Sequence, residues 1–313
     1  MQETKHILLF GASGTIGRAV LAALQAAGHR VTAVGRSAVE ADAFVVADVS
    51  SFDSLAAVTG QFDAVISCLA SRTGAPADAW SIDHAAHLNI LRLAEARGVS
   101  QFVLLSAICV QRPQLAFQHA KLAFEEALVS SGLTYSIVRP TAYFKSLSGQ
   151  VERVRNGKPF LVFGNGELTA CKPISDRDLA AYMVRCLSDA DLQDRILPIG
   201  GPGPAMTPLE QGATLGRVLG QEVTFRRVPI AMMSAIISAL SMAGLMSRNA
   251  RNKAELAKIG RYYATESMLV YNHAKGGYDA DATPETGSDR LEDFYRDLAE
   301  GKASVDLGDH AVF

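Results

Sequence analysis

The chain has 313 residues, 49% apolar and 20% charged, which is the composition of an ordered globular protein and excludes a disordered one. Its formal net charge of −2 gives no electrostatic ground for a nucleic-acid partner. The four cysteines, Cys68, Cys109, Cys171 and Cys186, include no C-x-x-C pair. That spacing favours reduced thiols in a cytoplasmic protein over a disulfide framework or a metal site, and no metal is expected. Residues 1–5 lack the basic-then-apolar layout of a secretory signal, so a strand is expected almost at once.

The first half alternates short strands with helices. Residues 6–10 form an apolar run that suits a strand buried on both faces. It leads directly into Gly11-Ala12-Ser13-Gly14-Thr15-Ile16-Gly17, and a helical pattern follows, with Gly28 at its end. Strands are predicted at 30–34, 43–47, 62–68, 101–106 and 135–140, with long helices over about 78–97 and 114–131. This alternation implies a Rossmann-type, doubly wound parallel sheet that binds ligands at the C-terminal ends of its strands. The strand, glycine turn and helix would set backbone N–H groups against a pyrophosphate, although glycines spaced G-x-x-G-x-x-G are weak evidence alone.

The second half changes character, and a boundary is drawn at residue 140. Residues 1–140 are read as the NADP-binding domain. Residues 141–313 are read as a smaller substrate-binding portion, partly interleaved with the first. Residues 160–163 and 168–171, joined through Gly164-Asn165-Gly166, read as a hairpin-like pair of strands. A helix capped by Ser175 or Asp176 is expected, then a strand at 196–199, a helix near 208–219, a strand at 223–228 and a final helix near 288–299. Between the last two lies an uncharged run of 18 residues, 229–246. Residues 226–261 carry seven Lys or Arg and one acid, Glu255. The run reads as a buried or lid helix, as an interfacial helix with a methionine-rich face and a basic rim, or, least suitably at this length, as a membrane span.

Candidate chemistry sits at the strand ends. Arg36 ends the second strand, where a NAD-preferring site places an acid on the ribose hydroxyls. An arginine there can give a 2′-phosphate a charge-assisted hydrogen bond of roughly 1.5–3 kcal/mol, so NADPH is the expected cofactor. Asp48, one strand on, reads either as an acceptor for the adenine amino group or as a turn residue. Cys68 at the end of the fourth strand, Ala70 just past it, Ser106 at the end of the fifth and Pro140 at the end of the sixth complete the cofactor-side set, together with Gly11, Ser13, Gly14, Thr15, Ile16 and Gly17.

Ser106, followed fifteen residues later by Lys121, resembles the short-chain dehydrogenase/reductase superfamily in its extended or atypical branch. That superfamily uses a serine and a Tyr-x-x-x-Lys pair whose lysine binds the nicotinamide ribose. Here the pair reads Phe117-Gln118-His119-Ala120-Lys121, so the lysine is present and the tyrosine is not. A carbonyl reductase needs that hydroxyl to protonate the forming alkoxide. Either the protein is no enzyme, or its reaction has no oxygen to protonate, as in reduction of a carbon–carbon double bond.

The resemblance then narrows. Leu104-Leu105-Ser106-Ala107-Ile108-Cys109-Val110-Gln111, the run from Tyr135 through Pro140 to Leu147, and Ala170-Cys171-Lys172-Pro173-Ile174-Ser175 are similar to the NADPH-dependent 8-vinyl reductases of chlorophyll and bacteriochlorophyll synthesis. The resemblance is dense from about residue 65 to 180 and general beyond about 200. It implies a tetrapyrrole substrate, NADPH, Lys121 on the nicotinamide ribose, and a location in the cytoplasm or peripheral to a photosynthetic membrane. Tyr143, His119 or a water is the candidate proton donor, with Tyr143 equally suited to an apolar wall. Phe117, Tyr143 and Phe144 are the candidate substrate contacts. Two other readings stay open: a reductase of quinones or phenolic alkenes, and a non-catalytic NADP-binding assembly or regulatory protein. Oligomeric state is not readable.

Overall fold

The computed structural model describes residues 3–305. Its elements run β1 His6–Phe10, α1 Thr15–Ala26, β2 Arg30–Gly35, β3 Ala43–Val46, β4 Ala64–Ser67, α2 Pro76–Ala79, α3 His87–Ala96, β5 Gln101–Leu105, α4 Ala116–Val129 and β6 Thr134–Pro140. There follow α5 Phe144–Leu147, α6 Val151–Arg155, β7 Phe160–Phe163, α7 Asp176–Arg185, β8 Arg195–Ile199, α8 Pro208–Leu219 and β9 Phe225–Val228. The last are α9 Ile230–Ala243, α10 Arg248–Thr265, β10 Val270–Asn272, β11 Gly277–Asp279 and α11 Leu291–Ala299. Chain contacts divide it into two units. The first comprises Met1–Arg72, Pro76–Pro140 and Asp176–Leu197; the second comprises Thr73–Ala75, Thr141–Ser175 and Pro198–Phe313.

Seven strands form the main sheet in the order β3-β2-β1-β4-β5-β6-β8. The pairings from β3 across to β6 are parallel, with Leu8 opposite Thr32 on one side and Val65 on the other. The central strands are apolar without alternation because helices cover both faces: every residue of β4 and β5 is buried. Phe10, Val65, Ile90, Phe102 and Phe124 pack in one cluster of this unit, each fully buried large side chain contributing about 1.5–3 kcal/mol. α1 turns Ile16, Val20, Leu21 and Leu24 inward at helical spacing and packs against α7. The strand order reverses between β1 and β4, the switch point at which open α/β sheets bind ligands.

Three sequence expectations change. The helix expected over 78–97 contains a π-helical stretch, Trp80–Ala86, between α2 and α3. The hairpin of 160–163 with 168–171 does not form. Gly164 and Gly166, with φ of 62° and 85°, do make a turn. β7, however, takes a parallel partner in β9, Phe160 opposite Phe225, while the Cys171 backbone bridges to Met206 and Met268. The strand near residue 196 lies beside β6 at the edge of the main sheet.

In the second unit, Phe144, Phe160, Val162, Leu215, Leu291 and Tyr295 form the core. The 229–246 run gives α9, paired with α10. It is not a buried helix: in α9 Ile237 alone is buried, Met233 and Leu240 are half-buried, and Met232, Ile236, Met242, Leu245 and Met246 are 47%, 48%, 71%, 82% and 97% exposed. Among the described residues no helix is long and apolar enough to cross a membrane.

Candidate active site

The glycine turn is built by close backbone approach. Gly11 has φ 76°, and a Cβ there would lie 2.7 Å from the Cys68 carbonyl carbon at the end of β4. A Cβ on Gly17 would lie 2.0 Å from the Gly11 carbonyl oxygen. Any side chain at either position would therefore force β1, β4 and α1 apart. Gly14 caps α1 without a side-chain hydrogen bond, and the first turn carries no acid. The first N–H groups of α1 and its positive dipole end thus have no side-chain anion of their own, which fits a dinucleotide pyrophosphate. Ser13 and Gly14 are exposed, Thr15 is half-buried, and Ile16 is buried against the core.

Arg36 lies just past β2, exposed. Asp48 lies just past β3, where its Oδ1 accepts the Ser50 N–H at 3.0 Å and the Ser50 hydroxyl at 2.7 Å, a turn geometry. Those bonds hold the Asp48 carboxyl below the usual range, with the positive charge of Arg36 a smaller contribution. The Cys68 thiol, next to the glycine turn, is pushed up to about 12 by burial and stays protonated. Ala70 is exposed.

Helix α4 sets Phe117, Lys121 and Glu125 at successive i, i+4 positions, hence on one face. Phe117 is buried at 9% exposure, and His119 is exposed. The Lys121 ammonium lies 3.0 Å from Asp83 Oδ1, with the two side chains 11% and 0% exposed. Ser71 donates its N–H to the same oxygen at 3.2 Å. One turn beyond Asp83, His87 Nε2 lies 3.0 Å from Ser67 Oγ at the end of β4, and its Nδ1 lies 2.9 Å from the Ile82 carbonyl. Since a carbonyl only accepts, Nδ1 carries the proton and Nε2 accepts from Ser67. Burial first, and then the Lys121 charge, depress this ring to about 4, so it is neutral at pH 7.

Ser106 donates its hydroxyl to Glu125, and Arg139 grips the same carboxylate through two nitrogens. Pro140 is buried at the end of β6. In the second unit, Tyr143 is half-buried and its backbone bridges to Ile174. Phe144 opens α5 at 3% exposure with its ring 5.6 Å from that of Phe294, so its side chain is occupied in packing that unit's core.

The structure thus gathers Lys121 with Asp83 and His87 and ties Glu125, one turn further along α4, to Ser106 and Arg139. The motif reading passes over Asp83, His87 and Glu125. All are ionisable groups on helix faces that otherwise read as apolar, and that mismatch is the signal the sequence carried.

The sheet order and the glycine turn at its switch point define a dinucleotide-binding protein of Rossmann type, and residues 11–190 match a family model described as NAD(P)H-binding. Chloroplastic divinyl chlorophyllide a 8-vinyl-reductases are similar along nearly the whole chain. That of Cucumis sativus is 47% identical over 98% of this chain and 80% of its own, and that of Zea mays is 46% identical over 98% and 82%. At that identity and coverage, the chain belongs to the divinyl chlorophyllide a 8-vinyl-reductase family. The photosystem II assembly factor Ycf39 of Cyanophora paradoxa is more distant, 26% identical over 72% of this chain and 73% of its own. Among solved structures, an NADPH-dependent quinone oxidoreductase from Escherichia coli in complex with NADPH shares the fold. Its TM-score is 0.69 at 19% identity, covering 93% of this chain and 99% of that one.

Proposed function

We propose that this protein reduces the C8 vinyl group of divinyl chlorophyllide a, or of a close tetrapyrrole precursor, to an ethyl group with NADPH in chlorophyll or bacteriochlorophyll biosynthesis. The observation that carries the reading is family membership across nearly the whole chain. Phe117 gives it chemical sense. A buried phenyl ring stands four residues before Lys121, where a carbonyl reductase keeps a proton-donating hydroxyl.

NADPH, when bound, supplies the hydride. The turn from Gly11 to Gly17 and the start of α1 would hold its pyrophosphate, Arg36 its 2′-phosphate and Lys121 its nicotinamide ribose. Hydride delivered to one vinyl carbon would break the C=C π bond and leave negative charge on the other carbon, shared with the conjugated ring until a proton adds there. The Lys121 ammonium adds positive potential on that side. Tyr143, half-buried just past β6, is our candidate for the proton and for a substrate contact, with Phe117 as an apolar contact.

We also infer that the enzyme works peripheral to a photosynthetic membrane. The outward stripe of α9 runs Met232, Ile236, Ala239 and Met242 at helical spacing and continues into Leu245 and Met246, exposed throughout. Arg226, Arg227, Arg251, Lys253 and Arg261 are exposed around it, and the one acid of the stretch, Glu255, is paired with Lys258. An apolar stripe with a basic rim suits the interface of an anionic bilayer. A symmetric contact between two copies through this face would instead set two basic rims together.

The test is direct. Purified protein with NADPH and divinyl chlorophyllide should give a blue shift of the Soret band as the conjugated vinyl group is lost. No NADPH-dependent shift would refute the reading.

A further inference from the structure

The geometry points to Asp83 as the positioning residue that aims Lys121 at the nicotinamide ribose, a role that rests on the assignment of Lys121 above. Asp83 enters the interior on the π-helical stretch Trp80–Ala86, an irregularity found often at functional sites. Its side chain is fully buried, with one carboxylate oxygen on the Lys121 ammonium at 3.0 Å and on the Ser71 N–H. Its other oxygen, Oδ2, is buried with no hydrogen-bond partner among the described residues. A fold selected for stability alone does better with an apolar side chain at such a place.

The neighbouring imidazole does not compete for this carboxylate. His87 spends both ring nitrogens on the Ile82 carbonyl and Ser67. The cation that faces Asp83 is therefore Lys121. A lysine ammonium has three donors on a flexible stem. Asp83 takes one, and that anchor limits the directions in which the other two can point from a side chain that is 11% exposed.

A double-mutant cycle in the full chain tests this. Asp83→Asn keeps the size and loses the charge, and Lys121→Met removes the group that Asp83 is held to orient. Asp83→Asn should lower kcat about 10- to 100-fold with little change in KM for the pigment. NADPH should bind more weakly, while 2′,5′-ADP, which lacks the nicotinamide half, should bind as in the wild type. The double variant should be no slower than Lys121→Met alone. Losses that multiply in the double variant, or weakened 2′,5′-ADP binding with unchanged kcat, would overturn the assignment. If Asp83→Asn does not fold, Asp83→Glu takes its place in the same cycle. A kcat loss that vanishes in the Lys121→Met background supports the assignment, and an equal loss in both backgrounds refutes it. If the wild type shows no vinyl reduction, the proposed function fails, and the comparison of NADPH with 2′,5′-ADP still decides the role of Asp83.

Discussion

The Ser106 hydroxyl donates to Glu125, a carboxylate 3% exposed that Arg139 also binds. In this chain the serine of the superfamily pattern is therefore tied into a buried polar network. The network predicts an asymmetry. Ser106→Ala removes one hydrogen bond and should cost about 1 kcal/mol of stability, with turnover within threefold of the wild type. Glu125→Leu strands the Arg139 guanidinium and should cost about 3–5 kcal/mol. Urea unfolding of both variants, beside steady-state turnover, checks the two arms. A large rate loss in Ser106→Ala with unchanged stability would return the serine to the chemistry.

Phe117→Tyr restores the tyrosine of the superfamily pattern four residues before Lys121. If the reaction has no oxygen to protonate, the added hydroxyl should give no acceleration, and kcat should stay within twofold or fall. Because Phe117 is 9% exposed, an unpartnered hydroxyl there should also cost about 1–3 kcal/mol. Turnover and a thermal melt measure both effects. A tenfold faster variant would show that proton delivery from this position limits the wild type.

Arg36 is exposed past β2, and its charge makes a small contribution to the lowering at the Asp48 carboxyl. Arg36→Asp replaces a 2′-phosphate donor with a repelling charge. It should lower kcat/KM for NADPH by about 10- to 100-fold, from the roughly 1.5–3 kcal/mol of a charged hydrogen bond, and leave NADH nearly unaffected. Parallel kinetics with the two cofactors read the ratio directly, and an unchanged ratio removes Arg36 from cofactor choice.

Met246 and Leu245 are the most exposed large apolar side chains of the chain's described part, at the turn after α9. Both replaced by glutamate should leave the fold intact and weaken flotation with phosphatidylglycerol vesicles by at least tenfold, since each buried side chain of this size contributes about 1.5–3 kcal/mol. Phosphatidylcholine vesicles at high salt should not bind even the wild type. A concentration-dependent dimer abolished by the same replacements would point to a second copy as the occupant instead.

What was readable in the sequence was what periodicity and punctuation encode. β1, the glycine turn, α8 and the positions of the first six strands along the chain follow from apolar runs and glycine positions, because those features act locally. The partner of β7 was not readable, since Gly164-Asn165-Gly166 makes a hairpin-like turn whichever strand pairs beyond it. Nor does the spacing of an otherwise regular helix announce the π-helical stretch that carries Asp83. The site divides in the same way. Lys121 stood out by its place after Ser106, whereas Asp83 and Glu125 show in the sequence only as ionisable groups on largely apolar helix faces, and their partners Lys121 and Ser106 become visible only in the folded chain.

His87 gives the fold a pH dependence whose sign follows from its surroundings. Burial, with the Lys121 charge adding to it, holds the folded ring neutral down to about 4, while the unfolded ring takes up its proton near 6.5. Between those values the unfolded chain binds more protons. Stability present above pH 6.5 is therefore lost as the pH falls toward 4, by up to about 3 kcal/mol. The loss should already approach 1 kcal/mol near pH 5.5, before most carboxylates titrate. His87→Gln removes the titrating ring and should flatten the slope between pH 6.5 and 5.5 in urea unfolding. If that variant keeps the wild-type slope, the proton uptake belongs to another group.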